Sequence, residues 1–232
     1  MSTPKEIKSQ LNQLILDSQT TAPKLSERLV EMNRWIAQKK NGLLMRKRHV
    51  MQLLAELVEY ATFWLEVESL SLQDKDFVLA QLSPAEQYWY QYLFPAWFNE
   101  QDPKSIVWKQ KLMADEFGKS DDTLIKGICR AIEVNGGGTF NPYIADLSMA
   151  TDLIAFGTKE LVLCVQLTTV RDSLCASKYS EWESTLKHWQ ILRGLFLSFN
   201  PVRVKVDRAG QCIFQCSDQL PRECYRRKSM DL

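Results

Sequence analysis

Two polar residues interrupt apolar stretches in the C-terminal half of this sequence. Asp152 stands near the start of the run 151–156, and Gln166 stands inside the run 161–169. A buried polar side chain needs hydrogen-bonding partners, so Gln166 indicates a hydrogen-bonded cluster, a solvated face or a pocket. Alternate residues of a strand share a face, and Gln166 would lie beside Asp152 if the two runs pair. Because aspartate at a strand start also caps turns, a site role and a structural role are both open for Asp152.

The elements around these two residues are predicted from turn and capping signals. Residues 157–160 form a turn sequence between the two apolar runs, which predicts a β-hairpin. A helix is predicted from Ser120 to Val134, where Asn135 and three glycines end it. A capping box at residues 180–183 predicts a second helix that continues to about Ser198. Further strands are predicted at residues 140–144, 202–206 and 212–214.

From residue 120 to about residue 206, the predicted order is helix, three strands, helix and strand. This is the αβββαβ order of the PD-(D/E)xK, or restriction-endonuclease-like, nuclease core, which the sequence resembles. In that family an acidic residue of the first helix, an aspartate opening the second strand and a (D/E)-x-K tripeptide of the third strand converge on divalent metal ions. The resemblance places Glu133 and Asp152 at the first two positions and implies that they bind Mg²⁺.

The third strand offers two registers for the tripeptide. Gln166 and Thr168 occupy its outer positions in one register, and Cys164 and Gln166 occupy them in the other. The first register is preferred, because variants with glutamine in place of the acid occur in divergent branches of the superfamily. The resemblance therefore implies a catalytic group of Glu133, Asp152, Gln166 and Thr168.

The sequence departs from the family pattern because neither register contains a lysine or a carboxylate. In this superfamily the basic residue sometimes moves to the following helix. There the prediction places Lys178, Lys187 and Arg193, with Gln190 similarly placed. The resemblance thus implies either a nuclease with a reduced metal site or a domain that no longer catalyses.

The N-terminal half has helical periodicity. Apolar residues from Leu25 to Ile36 and from Val50 to Trp64 recur at helix spacing on either side of Asn41-Gly42, which predicts a helical hairpin. A capping box at Ser83 predicts another helix, which Pro95 would end, and a further helix is predicted for residues 105–117. The fold class is therefore α+β or α/β, with a helical region at residues 1–118 and the nuclease-like domain at residues 119–232.

Charge is balanced over the chain, with 29 basic and 28 acidic side chains, so a nucleic acid would have to meet a local basic patch. One patch lies in residues 34–49, which contain no acid, and another lies in the C-terminal tail. Arg46, Lys47, Arg48, Lys187 and Arg193 are predicted to contact nucleic acid. The full patches contain Arg34, Lys39, Lys40, Arg46, Lys47 and Arg48, and Arg222, Arg226, Arg227 and Lys228.

The six cysteines are scattered and predict no disulfide framework, and Cys212, Cys216 and Cys224 do not have zinc-ligand spacing. The sequence contains no apolar stretch long enough for a membrane helix and no apolar secretion signal at its start, which predicts a cytoplasmic protein without a membrane partner. The predicted function is nucleic-acid processing or binding. The alternative is a non-catalytic assembly protein, whose aromatic residues between Tyr88 and Phe98 contact a protein partner or a second copy.

Overall fold

The structure is a computed structural model, and it describes residues 3–38, 47–114, 119–169, 172–201 and 203–230. The helices are α1 (Pro4–Thr21), α2 (Pro23–Ala37), α3 (Arg48–Glu68), α4 (Leu72–Ala80), α5 (Pro84–Tyr88), α6 (Phe94–Asn99), α7 (Ser105–Ala114), α8 (Lys119–Val134), α9 (Tyr143–Met149), α10 (Asp172–His188) and α11 (Val206–Gln219). The strands are β1 (Gly138–Phe140), β2 (Leu153–Phe156), β3 (Leu163–Thr168), β4 (Arg193–Ser198) and β5 (Cys224–Ser229).

The chain divides into two compact units. The helical unit contains Met1–Gln81 and Tyr90–Phe117, and the sheet unit contains Leu82–Trp89 and Gly118–Leu232. In the part of the chain that the structure describes, no helix is both long enough and apolar enough to cross a bilayer.

Helix α1 organises the first part of the helical unit. It begins with a capping box between Thr3 and Glu6, and Ile7 and Leu11 form its buried stripe. Helix α1 packs against both α2 and α3, so these helices form a three-helix arrangement rather than the predicted two-helix hairpin. Both predicted helices are present as α2 and α3.

The prediction that Pro95 ends the helix beginning after Ser83 is wrong. A π-helical turn, Trp89–Leu93, follows α5 and leads directly into α6, where Pro95 lies in the first turn. Proline fits this position because a first-turn N–H has no partner within the helix. Most of the neighbouring aromatic rings are buried, including Trp89, Phe94, Trp97 and Phe98.

The described strands of the second unit form one five-stranded sheet in the order β1-β2-β3-β4-β5. Strands β1, β2 and β3 are antiparallel neighbours, whereas β3, β4 and β5 are parallel. The predicted hairpin is confirmed, because Leu153 of β2 pairs with Val165 of β3.

The two faces of the sheet carry different helices. Leu153, Val165 and Leu197 point into one apolar core with residues of α8 and α11. On the opposite face, Trp182 of α10 contacts the ring of Phe196. Because successive strand residues point to opposite faces, Gln166 and Ser198 lie on the α10 face.

Four predicted elements after residue 138 are wrong. Strand β1 ends at Phe140, and residues 143–149 form α9 rather than a strand. Residues 193–198 form the buried strand β4 instead of continuing the helix, which ends at His188. Residues 206–219 form α11 in place of the predicted strand at 212–214, and residues 203–205 of the predicted strand at 202–206 lie outside the sheet.

The misassignment of β4 has a physical cause. A parallel strand that is buried on both faces is a continuous apolar run, which does not alternate and cannot be told from a buried helix by periodicity. Every residue of β4 is buried. Gln190 has a φ of 54°, a left-handed conformation that turns the chain out of the helix.

Candidate functional site

Asp152 and Gln166 meet across the β2–β3 hairpin, as the sequence predicts. The Asp152 N–H donates to the carbonyl oxygen of Val165 at 2.9 Å, which places the two side chains side by side. Gln166 Nε2 donates to Asp152 Oδ2 at 2.7 Å, and the Leu167 N–H donates to the same oxygen. Both residues are partly buried. The carboxylate is therefore engaged by the strand next to it.

A row of three hydroxyl side chains lies beside this pair at the carboxyl ends of the parallel strands. The strand register aligns Thr168 with Ser198, and Ser198 with Ser229. Ser198 is 1% exposed. Among the described residues, Ser198 Oγ and Ser229 Oγ have no hydrogen-bond partner. Asp152, Gln166 and this row form the polar site on the α10 face.

Local sequence patterns do not predict Ser198 and Ser229 as site residues. Residue 198 is predicted to end a helix, and no strand is predicted at residues 224–229. In the sequence, a serine ends each of two short segments that follow a helix. This pattern predicts aligned hydroxyl groups only when both segments are assigned as parallel strands.

The structure does not bring Glu133 to the polar site. Glu133 is an exposed residue near the end of α8, and α8 packs on the face of the sheet opposite to Gln166. The predicted pairing of Glu133 with Asp152 around Mg²⁺ therefore has no support in the geometry.

The donors of the polar site do not fit the metal site of the nuclease family. Hard divalent cations require several oxygen ligands, with carboxylates supplying the negative charge. The site offers one carboxylate, an amide and hydroxyl groups, and Asp152 Oδ2 already accepts two hydrogen bonds. Within the described ranges, no three His, Cys, Asp or Glu side chains are grouped so that they could hold a metal ion.

Arg193 is predicted from the sequence to point from a helix toward a ligand, but the structure places it in a strand. It is buried in β4, and its guanidinium N–H groups donate to backbone carbonyl oxygens at 2.7–3.2 Å. These carbonyls belong to Val162, Ser217, Leu220 and Pro221. Arg193 therefore holds three segments together and is not available to a nucleic acid.

The other basic residues that were predicted to contact nucleic acid differ in whether protein groups already bind them. Lys187 Nζ forms an ion pair with Glu183 at 2.5 Å, and Lys47 Nζ donates to the Met113 carbonyl oxygen at 2.5 Å. Arg48 is exposed at the start of α3. Arg46 lies outside the described residues.

The basic tail residues lie on β5, which is the last strand in the sheet order. Arg226, Arg227 and Lys228 are exposed in succession, and Arg222 is exposed just before the strand. By alternation, Arg227 lies on the α10 face, whereas Arg226 and Lys228 lie on the α11 face. We call these four residues the basic edge.

We found no match to this chain among protein-family models, curated proteins or solved structures. The resemblance to the nuclease family therefore rests on the residues and elements described above.

Proposed function

We propose that this protein binds nucleic acid through the basic edge and does not cleave it. The observation that carries the proposal is the succession of exposed cations on β5, beside a polar site that contains a single, hydrogen-bonded carboxylate. Clustered Arg and Lys side chains attract a phosphate backbone and release its counterions on binding. The overall charge of the chain is close to neutral, so this attraction is local.

We also propose that the sheet unit is a divergent member of the PD-(D/E)xK fold. The order α8, β1, β2, β3, α10, β4 supports this proposal, as do the antiparallel pairing of the first three strands and the parallel pairing of β3 with β4. Helix α9 is inserted between β1 and β2, and α11 with β5 extends the core.

The polar site supports binding better than hydrolysis. Metal-dependent phosphodiester cleavage needs a cation that polarises the phosphate and lowers the pKa of the attacking water. Within the described ranges, Asp152 belongs to no group of three His, Cys, Asp or Glu side chains that could hold a metal ion, and the third strand lacks the family's lysine. Neutral amide and hydroxyl groups suit hydrogen bonding to a ligand.

A protein-binding role is the second candidate, and it is favoured by exposed apolar side chains of the helical unit. Leu72, Phe77 and Tyr92 are 83%, 68% and 60% exposed. Tyr92 also lines a groove of about 480 Å³ with Phe63, Trp64, Leu79, Tyr90 and Pro95. Exposed apolar and aromatic groups of this kind occur at protein interfaces.

Charge reversal on the basic edge tests the proposed binding. R226E/R227E is expected to weaken binding of a fluorescent DNA or RNA oligonucleotide by more than tenfold. It is also expected to reduce the slope of log K against log salt by about 2, because two phosphate contacts are lost. K126E/R130E, which makes the same charge change at exposed positions of α8, is the matched control and should bind like the wild type.

The wild-type protein and its variants are also assayed for cleavage of nucleic acid. No cleavage of plasmid or single-stranded substrate is expected at millimolar Mg²⁺ or Mn²⁺. Cleavage that disappears in a folded D152A variant would show a working metal nuclease. The basic edge is not the binding surface if both charge-reversal variants lose binding equally, or if the salt slope of R226E/R227E is unchanged. The protein-binding role would then be the better candidate.

A further inference from the structure

A groove lined by aromatic side chains lies on the helical unit, between α3, α4 and the π-helical turn that follows α5. Phe63 and Trp64 of α3 line it together with Tyr90, Tyr92 and Pro95. Its volume is about 480 Å³, which lies within the range of about 300–1,000 Å³ that is typical of ligand sites. We call this surface the aromatic groove.

The π-helical turn presents an aromatic ring to solvent. Within this single turn Trp89 and Leu93 are buried, whereas Tyr92 is 60% exposed. One-turn π-helical segments are rare and occur frequently at functional sites. The rings of Phe63 and Tyr90 pack with their centroids 4.5 Å apart, so one wall of the groove is already formed without a ligand.

Helix α4 forms the other wall and also has apolar side chains in contact with solvent. It buries Leu79, which lines the groove, but Leu72 and Phe77 of the same helix are 83% and 68% exposed. Exposed apolar groups beside a preformed groove are typical of an interaction surface.

The aromatic groove lies in an acidic part of the helical unit. Residues 50–81 contain one basic residue, Lys75, whose Nζ pairs with Glu68 at 2.5 Å. Asp76 also lines the groove and is exposed. This charge repels phosphate groups and anionic lipids, so it favours a cationic protein segment over a nucleic acid or a membrane. The acidic residues of the segment are Glu56, Glu59, Glu66, Glu68, Asp74 and Asp76.

Arginine is the cation that best suits aromatic rings combined with a carboxylate. Its planar, weakly hydrated guanidinium stacks on rings and pairs with a carboxylate through two N–H groups. The helical unit binds one of its own arginines with these two kinds of group. Arg28 lies 5.3 Å from the centroid of the Trp97 ring, and its Nη1 donates to Glu31 at 2.7 Å. The aromatic groove presents the same chemistry to solvent.

We propose that the aromatic groove binds an arginine side chain from a cationic segment of a partner protein. The guanidinium packs against Tyr92 and pairs with Asp76, while neighbouring residues of the segment contact the exposed side chains of α4. This inference rests on the protein-binding role given above as the second candidate, and it names the class of partner. It does not require the basic edge, which belongs to the sheet unit.

Binding of labelled peptides to the full chain tests the preference for arginine and the role of Asp76. A fluorescein-labelled peptide of alternating arginine and alanine is expected to bind at least about fivefold more tightly than the same peptide with lysine, measured by fluorescence anisotropy. D76K is expected to weaken binding of the arginine peptide by more than about tenfold, because an attraction becomes a repulsion. D17K, the same charge change at an exposed position of α1, is the matched control and should bind like the wild type.

The role of the aromatic ring is tested with the same arginine peptide. Y92A is expected to weaken its binding by at least about fivefold, because the guanidinium loses the ring it packs against. L16A removes a side chain of α1 that is also 60% exposed and should bind like the wild type. Circular dichroism should show the same urea midpoint for these variants, which excludes unfolding as the cause. R226E/R227E should keep its affinity for the peptide, which separates the groove from the basic edge.

Four results would overturn the proposal, and they differ in what they leave standing. Equal binding of the arginine and lysine peptides, or equal binding by D76K and D17K, would reject arginine as the ligand. A leucine–alanine peptide that binds as tightly, and loses affinity in Y92A, would keep the protein-binding role but change the class of partner. Absence of binding of all three peptides at millimolar concentration would reject the groove as a peptide site. A concentration-dependent dimer in sedimentation that Y92A and D76K abolish would assign the groove to a second copy of this chain.

Discussion

Arg193 shows how one residue in β4 can hold the end of a neighbouring helix. Its guanidinium bonds the Ser217 and Leu220 carbonyls at the end of α11, which have no partner within the helix, and it also bonds Val162 before β3. Burial lowers the pKa of Arg193, but the group is a guanidinium and keeps its charge. A charged donor array at a helix C-terminus is favoured by the helix dipole as well.

The variant R193M is expected to reduce the free energy of unfolding by about 3 kcal/mol, because buried carbonyl oxygens lose their hydrogen-bond donors. Urea denaturation followed by circular dichroism measures the change. R203M, at an exposed arginine, should change stability by less than about 0.5 kcal/mol. Equal stability of R193M and R203M would mean that the carbonyls find other donors.

The turn between β2 and β3 is held by an element that is distant in sequence. Asp218 of α11 accepts hydrogen bonds from the Thr158 and Lys159 N–H groups and from Thr158 Oγ1. A Cβ atom at Gly157 would come within 2.5 Å of Asp218 Oδ1, so glycine permits this close approach. The hairpin that carries Asp152 and Gln166 is therefore stabilised from α11.

D218N is expected to lower stability at pH 7 by about 1 kcal/mol, a modest effect because solvent screens this partly exposed group. Burial raises the pKa of Asp218, but the hydrogen bonds from Lys159 and Thr158 outweigh it and lower the pKa from 3.8. The carboxylate thus stabilises the fold above the unfolded pKa, and this contribution is lost as the pH falls through the lower folded pKa.

Urea denaturation of the wild type and D218N at pH 7 and near pH 2 checks the direction of this pH dependence. The difference in their free energies of unfolding should shrink at the lower pH. E223Q, at an exposed position, is the control variant. A difference that grows on acidification would contradict the assignment.

At the scale of the whole molecule, the chain enters the sheet unit twice. Leu82–Trp89 belongs to the sheet unit although helical-unit residues flank it on both sides in sequence. Helix α5 packs on β1 and β2, and the fully buried Trp89 lies with its ring centroid 6.4 Å from that of Phe140. Residues 118–232 thus do not contain the complete sheet unit.

W89A is expected to destabilise the sheet unit by about 3–5 kcal/mol, since it deletes a fully buried indole. Hydrogen exchange should show faster exchange of the β1 and β2 amides. Y92A, at a ring that is 60% exposed, should leave these amides nearly unchanged. Comparable loss of protection in both variants would argue against a specific contribution of Leu82–Trp89.

Local patterns in the sequence determined the helical first part, the glycine stop after α8, and the β2–β3 hairpin that places Asp152 beside Gln166. These features follow from side-chain periodicity, capping and turn chemistry within about 20 residues.

Only the tertiary structure decided where the sheet continues and which polar groups meet. Strand β4 lacks alternation because it is buried on both faces, and its assignment requires its parallel neighbours β3 and β5. The alignment of Ser198 with Ser229 and the bonds of Arg193 to the end of α11 both join segments that are distant in the chain. Such contacts depend on the register of long-range pairing, which local sequence patterns do not encode.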